Sequence, residues 1–267
     1  MKTNYPRMFL KTLFIAFITL FIAQGASFAA TITVNTTVDE NGTGANCSLR
    51  EAINAANTDA AFGGCTAGAG ADTINFSALF NTAQTIQSTV AQLFINTPIT
   101  INGPGANLLT LQNVIPAGAN SRVFQVQSTG TLNLSGVTVT GGNTTSGNGG
   151  AGILVSGVAN LTNVHITGNA ADGYGGGIIF DGPGTTNSIT NCTISNNTSN
   201  GSVNGGGGAG IDNSANLTIV NSTISGNVKN SAIQNGGGIF NFSGNLSITS
   251  STITDNGAIG AGSTGGV

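Results

Sequence analysis

Few side chains among the 267 residues can move protons, bind metals or attack a substrate: nine carboxylates, six Lys or Arg, one His and three Cys. In the second half of the chain these reduce to Asp172, Asp181, Asp212, Asp255, His165, Cys192 and Lys229. Two or three close carboxylates would suit glycoside hydrolysis. Clustered carboxylates holding Ca²⁺ beside an Arg or Lys base would suit a polysaccharide lyase. Asp181 lies three residues after Ile178 and Asp212 directly after Ile211, so the two fall at different positions that could share an outward face. No Arg neighbours them, and solvated turn or strand-face carboxylates are the favoured reading. His165 has no acidic neighbour in sequence and reads as a surface residue. One His and no CxxC pair argue against zinc. The Gly run at 205–208 lacks the Lys-Ser/Thr and the helix of a phosphate loop. The sequence thus predicts no catalytic residues, no metal and no cofactor.

The elements that must carry these residues repeat. Val137-Thr138-Val139-Thr140, Val164-His165-Ile166-Thr167, Cys192-Thr193-Ile194-Ser195, Ser222-Thr223-Ile224-Ser225 and Ser251-Thr252-Ile253-Thr254 start 27, 28, 30 and 29 residues apart. An aliphatic residue precedes each by three positions, and Asn169, Asn197, Asn227 and Asn256 follow four of them. Gly-rich turns lead into a further strand at Ile153, Ile178, Ile211 and Ile239. Such a period, with β-branched alternation and no helix-forming stretch, predicts a right-handed parallel β-helix of about 28 residues per coil. Three short strands per coil are expected. Val137, Val164, Cys192, Ser222 and Ser251 should point inward, as should Val139, Ile166, Ile194, Ile224 and Ile253. Thr138, His165, Thr193, Thr223 and Thr252 should point outward. The Asn column is expected in left-handed turns, pairing amide to amide between coils. Gly is expected to supply positive φ at the sharp turns.

Upstream, Ser48 and Glu51 have capping-box spacing, and Leu49, Ala52, Ile53 and Ala56 share one helical face. A helix over 49–60 would cap the N-terminal edge of the solenoid, with Arg50, Glu51 and Asn54 facing away from the apolar stripe. Strands are expected at 31–34, 73–76, 97–102 and 108–112. Cys47 and Cys65 flank this helix, and an oxidising compartment favours a bridge between them over two free thiols.

Residues 1–29 form a separate unit. Lys2, Arg7 and Lys11 precede an apolar run at 13–23, then Ser27-Phe28-Ala29, which is the layout of a secretory signal peptide cleaved after Ala29. The run is too short to span a bilayer, so no membrane span is expected after cleavage. The mature chain keeps Arg50, Arg122 and Lys229 against nine carboxylates, which excludes a nucleic-acid binder. Charged residues are 6% of the chain, far below the usual quarter, so Asn, Thr and Ser must solvate the surface. The chain stops at Gly265-Gly266-Val267, one residue into the next expected strand, which predicts a fragment of a longer solenoid.

Cys47-Ser48-Leu49-Arg50-Glu51-Ala52-Ile53 resembles the signature of the CSLREA domain. Ile99-Thr100-Ile101-Asn102-Gly103-Pro104-Gly105 is similar to the stretch that precedes the repeats in that family. The repeats resemble those of polymorphic-outer-membrane-protein and pectin-lyase-like β-helices. The resemblance spans nearly all of the mature chain and implies a bacterial protein, either secreted or on the outer-membrane surface. It supplies no catalytic residues. The resulting division is 1–29 leader, 30–130 cap and first coils, and 131–267 repeats. The expected role is a non-enzymatic, adhesin-like scaffold that meets a surface glycan or protein. A pectin-lyase-like lyase or hydrolase is the alternative. The Thr-x-Thr-like ranks also resemble the ice-binding face of some β-solenoids.

Overall fold

A strand of three to five residues with alternating apolar side chains buries one face only, so it is stable only when stacked on others. Here the stacking runs along the chain. The computed structural model describes residues 29–118, 121–201, 207–231 and 236–259. The expected leader, apart from Ala29, and Gly265 to Val267 lie outside the described residues. Among those described, the strands form four parallel sheets of eight, seven, six and five strands, in a β-solenoid of about six turns with about 29 residues per turn.

The eight-stranded sheet runs from Thr31–Val34 through Asp72–Phe76, Pro98–Asn102, Thr131–Ser135, Val158–Thr162, Thr186–Thr190 and Asn216–Val220 to Leu246–Thr249. The seven-stranded sheet comprises Gln84–Ser88, Leu109–Asn113, Thr138–Thr140, His165–Thr167, Thr193–Ser195, Thr223–Ser225 and Thr252–Thr254. The six-stranded sheet includes Ile153–Val155, Ile178–Phe180, Ile211–Asn213 and Ile239–Asn241. The core is the stack of inward columns. Val137, Val164, Cys192 and Ser222 are buried, as are Val139, Ile166, Ile194 and Ile224. In the last described coil, Ser251 and Ile253 are only half-buried, and Phe242, Ile248 and Ile259 are exposed.

Each repeat has a fourth strand that the sequence reading did not anticipate. It is two residues long: Asn143–Thr144, Ala170–Ala171, Thr198–Ser199, Val228–Lys229 and Gly257–Ala258. Two residues are too few to show alternation, so no periodic signal marked it.

The Asn column is also placed differently from expectation. Asn169, Asn197, Asn227 and Asn256 are absent from the left-handed residues; the residues just before them, Gly168, Asn196, Gly226 and Asp255, have φ of 66°, 55°, 63° and 55°. That turn aims the following Asn into the wall. Asn197 Oδ1 accepts both the backbone N–H of Asn169 at 3.1 Å and its Nδ2–H at 3.0 Å, while Asn197 Nδ2 donates to Ile166 O at 3.0 Å. Asn227 and Asn256 repeat this pattern one and two coils on. The expected amide-to-amide pairing is therefore present, but inside the wall. The glycines facing this ladder at 152, 177, 210 and 238 do not use positive φ either; a Cβ on Gly177 would lie 2.6 Å from Gly210 O and 3.1 Å from Asn197 Nδ2. They are glycine because there is no room for a side chain.

The cap helix spans Leu49–Thr58 and ends at Asp59, whose φ is 51°. The capping box is present: Glu51 N–H donates to Ser48 Oγ, and Ser48 N–H donates to Glu51 Oε2 at 3.1 Å. Arg50 and Glu51, expected to face away from the apolar stripe, are both buried. The segment between the first strand and the helix folds over them. Glu51 Oε1 accepts from Gly42 and Thr43, and Arg50 pairs with Asp39 at 2.7 Å and donates to the carbonyls of Ala91 and Gln92. Cys47 and Cys65 are joined by a disulfide.

Candidate functional site

Three of the four carboxylates of the repeats are exposed, and the fourth is buried. Asp172 and Asp255 are exposed at turns, where Asp172 Oδ2 accepts Gly147 N–H at 2.9 Å and Asp255 Oδ2 accepts the Thr254 hydroxyl at 3.1 Å. Asp181 is exposed just past Ile178–Phe180. Asp212 sits mid-strand on the next coil, opposite Ile179. The two occupy different columns, as the spacing indicated.

Asp212 is the unusual member. It takes an outward position that Leu154, Ile179 and Phe240 fill on neighbouring coils, yet it is buried. Gly207 lies directly over its carboxylate and against Tyr174, so the turn entering the strand covers it. Burial pushes the carboxyl up to about 7. Lys229 opposes that shift and the charge of Asp181 adds to it. Lys229 is itself fully buried, on the inward side of the two-residue strand Val228–Lys229. Its Nζ donates to Gly201 O at 3.2 Å and lies 5.7 Å from the centre of the Tyr174 ring. Burial lowers its affinity for a proton, and Asp212 partly restores it. A carboxyl poised near neutrality beside a buried amine can hold or release a proton. The spacing of the aspartates pointed to Asp212, but nothing in sequence linked it to Tyr174 or Lys229. Its one signal was a carboxylate in a column of mostly apolar residues, Phe94, Gln125, Leu154, Ile179 and Phe240.

The second candidate is the outer face of the seven-stranded sheet. Its strands align Thr85, Thr110, Thr138, His165, Thr193, Thr223 and Thr252 in one column, and Gln87, Gln112, Thr140, Thr167, Ser195, Ser225 and Thr254 in the next. Apart from His165 this face is uncharged and carries amides or hydroxyls at every position. The strands hold each rank about 4.8 Å from the next. His165 is exposed within the Thr column, where sequence placed it.

The eight-stranded sheet presents a shallower polar groove of about 170 Å³ lined by Thr100, Asn133 and Asn160. Its groups are largely paired with one another: Ser188 Oγ donates to Asn160, Asn160 to Asn133, and Asn133 to Thr100. Among the described residues there is no group of three or more His, Cys, Asp or Glu placed to hold a metal, and no helix long and apolar enough to cross a membrane. Cys192 is a buried thiol whose sulfur accepts Val164 N–H at 3.4 Å; burial raises its pKa. No protein-family model matches the chain, and no curated protein matches it.

Proposed function

We propose that this chain is an exported bacterial, non-enzymatic β-solenoid scaffold, secreted or held at the outer-membrane surface. It attaches to a surface glycan or protein through its seven-stranded face. The observation that carries this reading is the pair of hydroxyl and amide ranks continuing over seven strands. A face without fixed charge is solvated by groups that exchange hydrogen bonds readily with sugar hydroxyls or peptide groups, and the stacked backbone keeps those groups in order before contact. The test is binding of residues 30–267 to a glycan panel and to intact cell surfaces. Thr193→Lys and Thr223→Lys, at the centre of the face, should weaken binding at least about tenfold. Thr218→Lys on the eight-stranded face should not. Equal binding by all three variants would discard the face as the contact surface. The same proteins in an ice-recrystallisation assay decide whether ordered water is the lattice this face meets.

A second reading, acid–base cleavage of an acidic polysaccharide, requires the turn at Gly207 to open and expose Asp212. It requires new chain ends to form when purified protein meets such a polymer, and requires them to vanish with Asp212→Asn. Failure to form chain ends with the unaltered protein eliminates it.

A further inference from the structure

The inward columns of the eight-stranded sheet contain one buried carboxylate. The column is Asp72, Ile99, Leu132, Ala159, Asn187, Leu217 and Leu246. Asp72 is 1% exposed. Its Oδ1 accepts Ala30 N–H at 2.9 Å and Ala69 N–H at 2.7 Å, whereas its Oδ2 is buried with no hydrogen-bond partner. Gly68 packs on that oxygen, where a Cβ would come within 2.5 Å of it. The one ion pair among the described residues, Arg50 with Asp39, is elsewhere. A buried carboxylate without a counter-charge is unfavourable by several kcal/mol, and the sequence nonetheless places one here.

The counter-charge can come from the backbone. Ala30 lies opposite Asp72, since Thr31 pairs with Thr73, and its own carbonyl accepts Thr73 N–H at 2.9 Å. Ala29, one residue earlier, is exposed. The residue pinned to the carboxylate is thus the one that export processing would make first. We propose that the Ala29–Ala30 bond is the processing junction and that the α-ammonium released at Ala30 docks on Asp72, locking the first strand of the solenoid in place. The inference rests on the export reading above. Hydrolysis by a leader peptidase adds the oxygen of water to the Ala29 carbonyl carbon. The C–N bond breaks, and Ala30 nitrogen takes up protons to become an ammonium. An amide offers Asp72 one hydrogen, whereas the ammonium offers three, so a second can turn to Oδ2.

The N-terminal residue of the exported protein, read by mass spectrometry, should be Ala30. Failure of the protein to leave the cell overturns the export reading, whereas export with the leader retained or cut elsewhere overturns the junction alone. The pair is tested with chains beginning at Ala30 or carrying one extra Ser before it, each with and without Asp72→Asn, by urea unfolding at neutral pH. The extra residue should lower the folding constant about tenfold in the native background and have little effect beside Asp72→Asn. Equal effects in both backgrounds overturn the pair while leaving export intact. Raising the pH should erase the native chain's advantage. The pair raises the pKa of the α-ammonium, so its stabilisation is complete below the ordinary value of about 8 and is lost above the folded value. Asp59, which accepts Gly70 N–H in the turn before Asp72, is common to all four chains. If Asp72→Asn does not fold, acylation of the Ala30 α-amine in the native chain decides. It should be slower than in the urea-unfolded chain, and equal rates overturn the pair.

Discussion

Asp212 and Asn197 show how differently one solenoid wall treats buried polar groups. Asn197 is neutral and every hydrogen-bonding group it has is engaged, so its burial strengthens the stack. Asp212 would carry charge, and burial holds its carboxyl near pH 7 against about 4 when unfolded. The sign of the consequence follows. Between pH 4 and pH 7 the unfolded chain loses this proton while the folded chain keeps it, so stability falls as pH rises through that window and levels off above it. A three-unit difference corresponds to roughly 4 kcal/mol, an upper bound because Lys229 relaxes with it. Urea midpoints measured from pH 4 to pH 8 should show that decline, and Asp212→Asn should flatten it. Asn197→Leu should lower stability by about 2–4 kcal/mol at any pH, because it strands the backbone N–H of Asn169, its carboxamide and Ile166 O.

The strands and turns were largely legible in the sequence because their signals are periodic. Thr-Ile-Ser segments such as Thr193–Ser195 and Thr223–Ser225 marked the seven-stranded sheet, and Ser48 with Glu51 marked the helix start. The signals that failed were those whose meaning lies in the neighbouring coil. The Asn column looked like a turn column because Asn tolerates positive φ, but the turn belongs to the residue before it. Arg50 and Glu51 looked solvent-facing because the helix alone does not reveal the segment folded over it. The electrostatic influence of Lys229 on Asp212 links residues 17 apart in sequence that lie on different sheets, which no local pattern encodes. Glycine illustrates the same division. Gly184 has φ +81° with nothing near an added Cβ, whereas Gly177 has ordinary φ with the Gly210 carbonyl 2.6 Å from one. Gly184→Ala should therefore cost about 1 kcal/mol, the left-handed penalty alone. Gly177→Ala should cost several times more, since two coils must separate to admit the methyl group. Thermal melts of the two variants give the comparison.

Among the described residues, burial is uneven along the stack. One end is closed by the helix Leu49–Thr58 and the disulfide from Cys47 to Cys65, while the last described coil leaves Ile248 and Ile259 exposed. In a stack where each coil touches only its neighbours, opening is easiest where burial is shallowest. Amide hydrogen exchange should therefore be slowest around Ile166 and Ile194 and become progressively faster toward Ile253; uniform protection along the stack would contradict this gradient. The register contacts of a coil reach back only about one turn, to residues already laid down. The chain can therefore be wound from its first residues onward, like thread onto a spool, each finished turn serving as the template for the next. A polypeptide delivered gradually through a narrow opening would never have to wait for its far end before becoming structured.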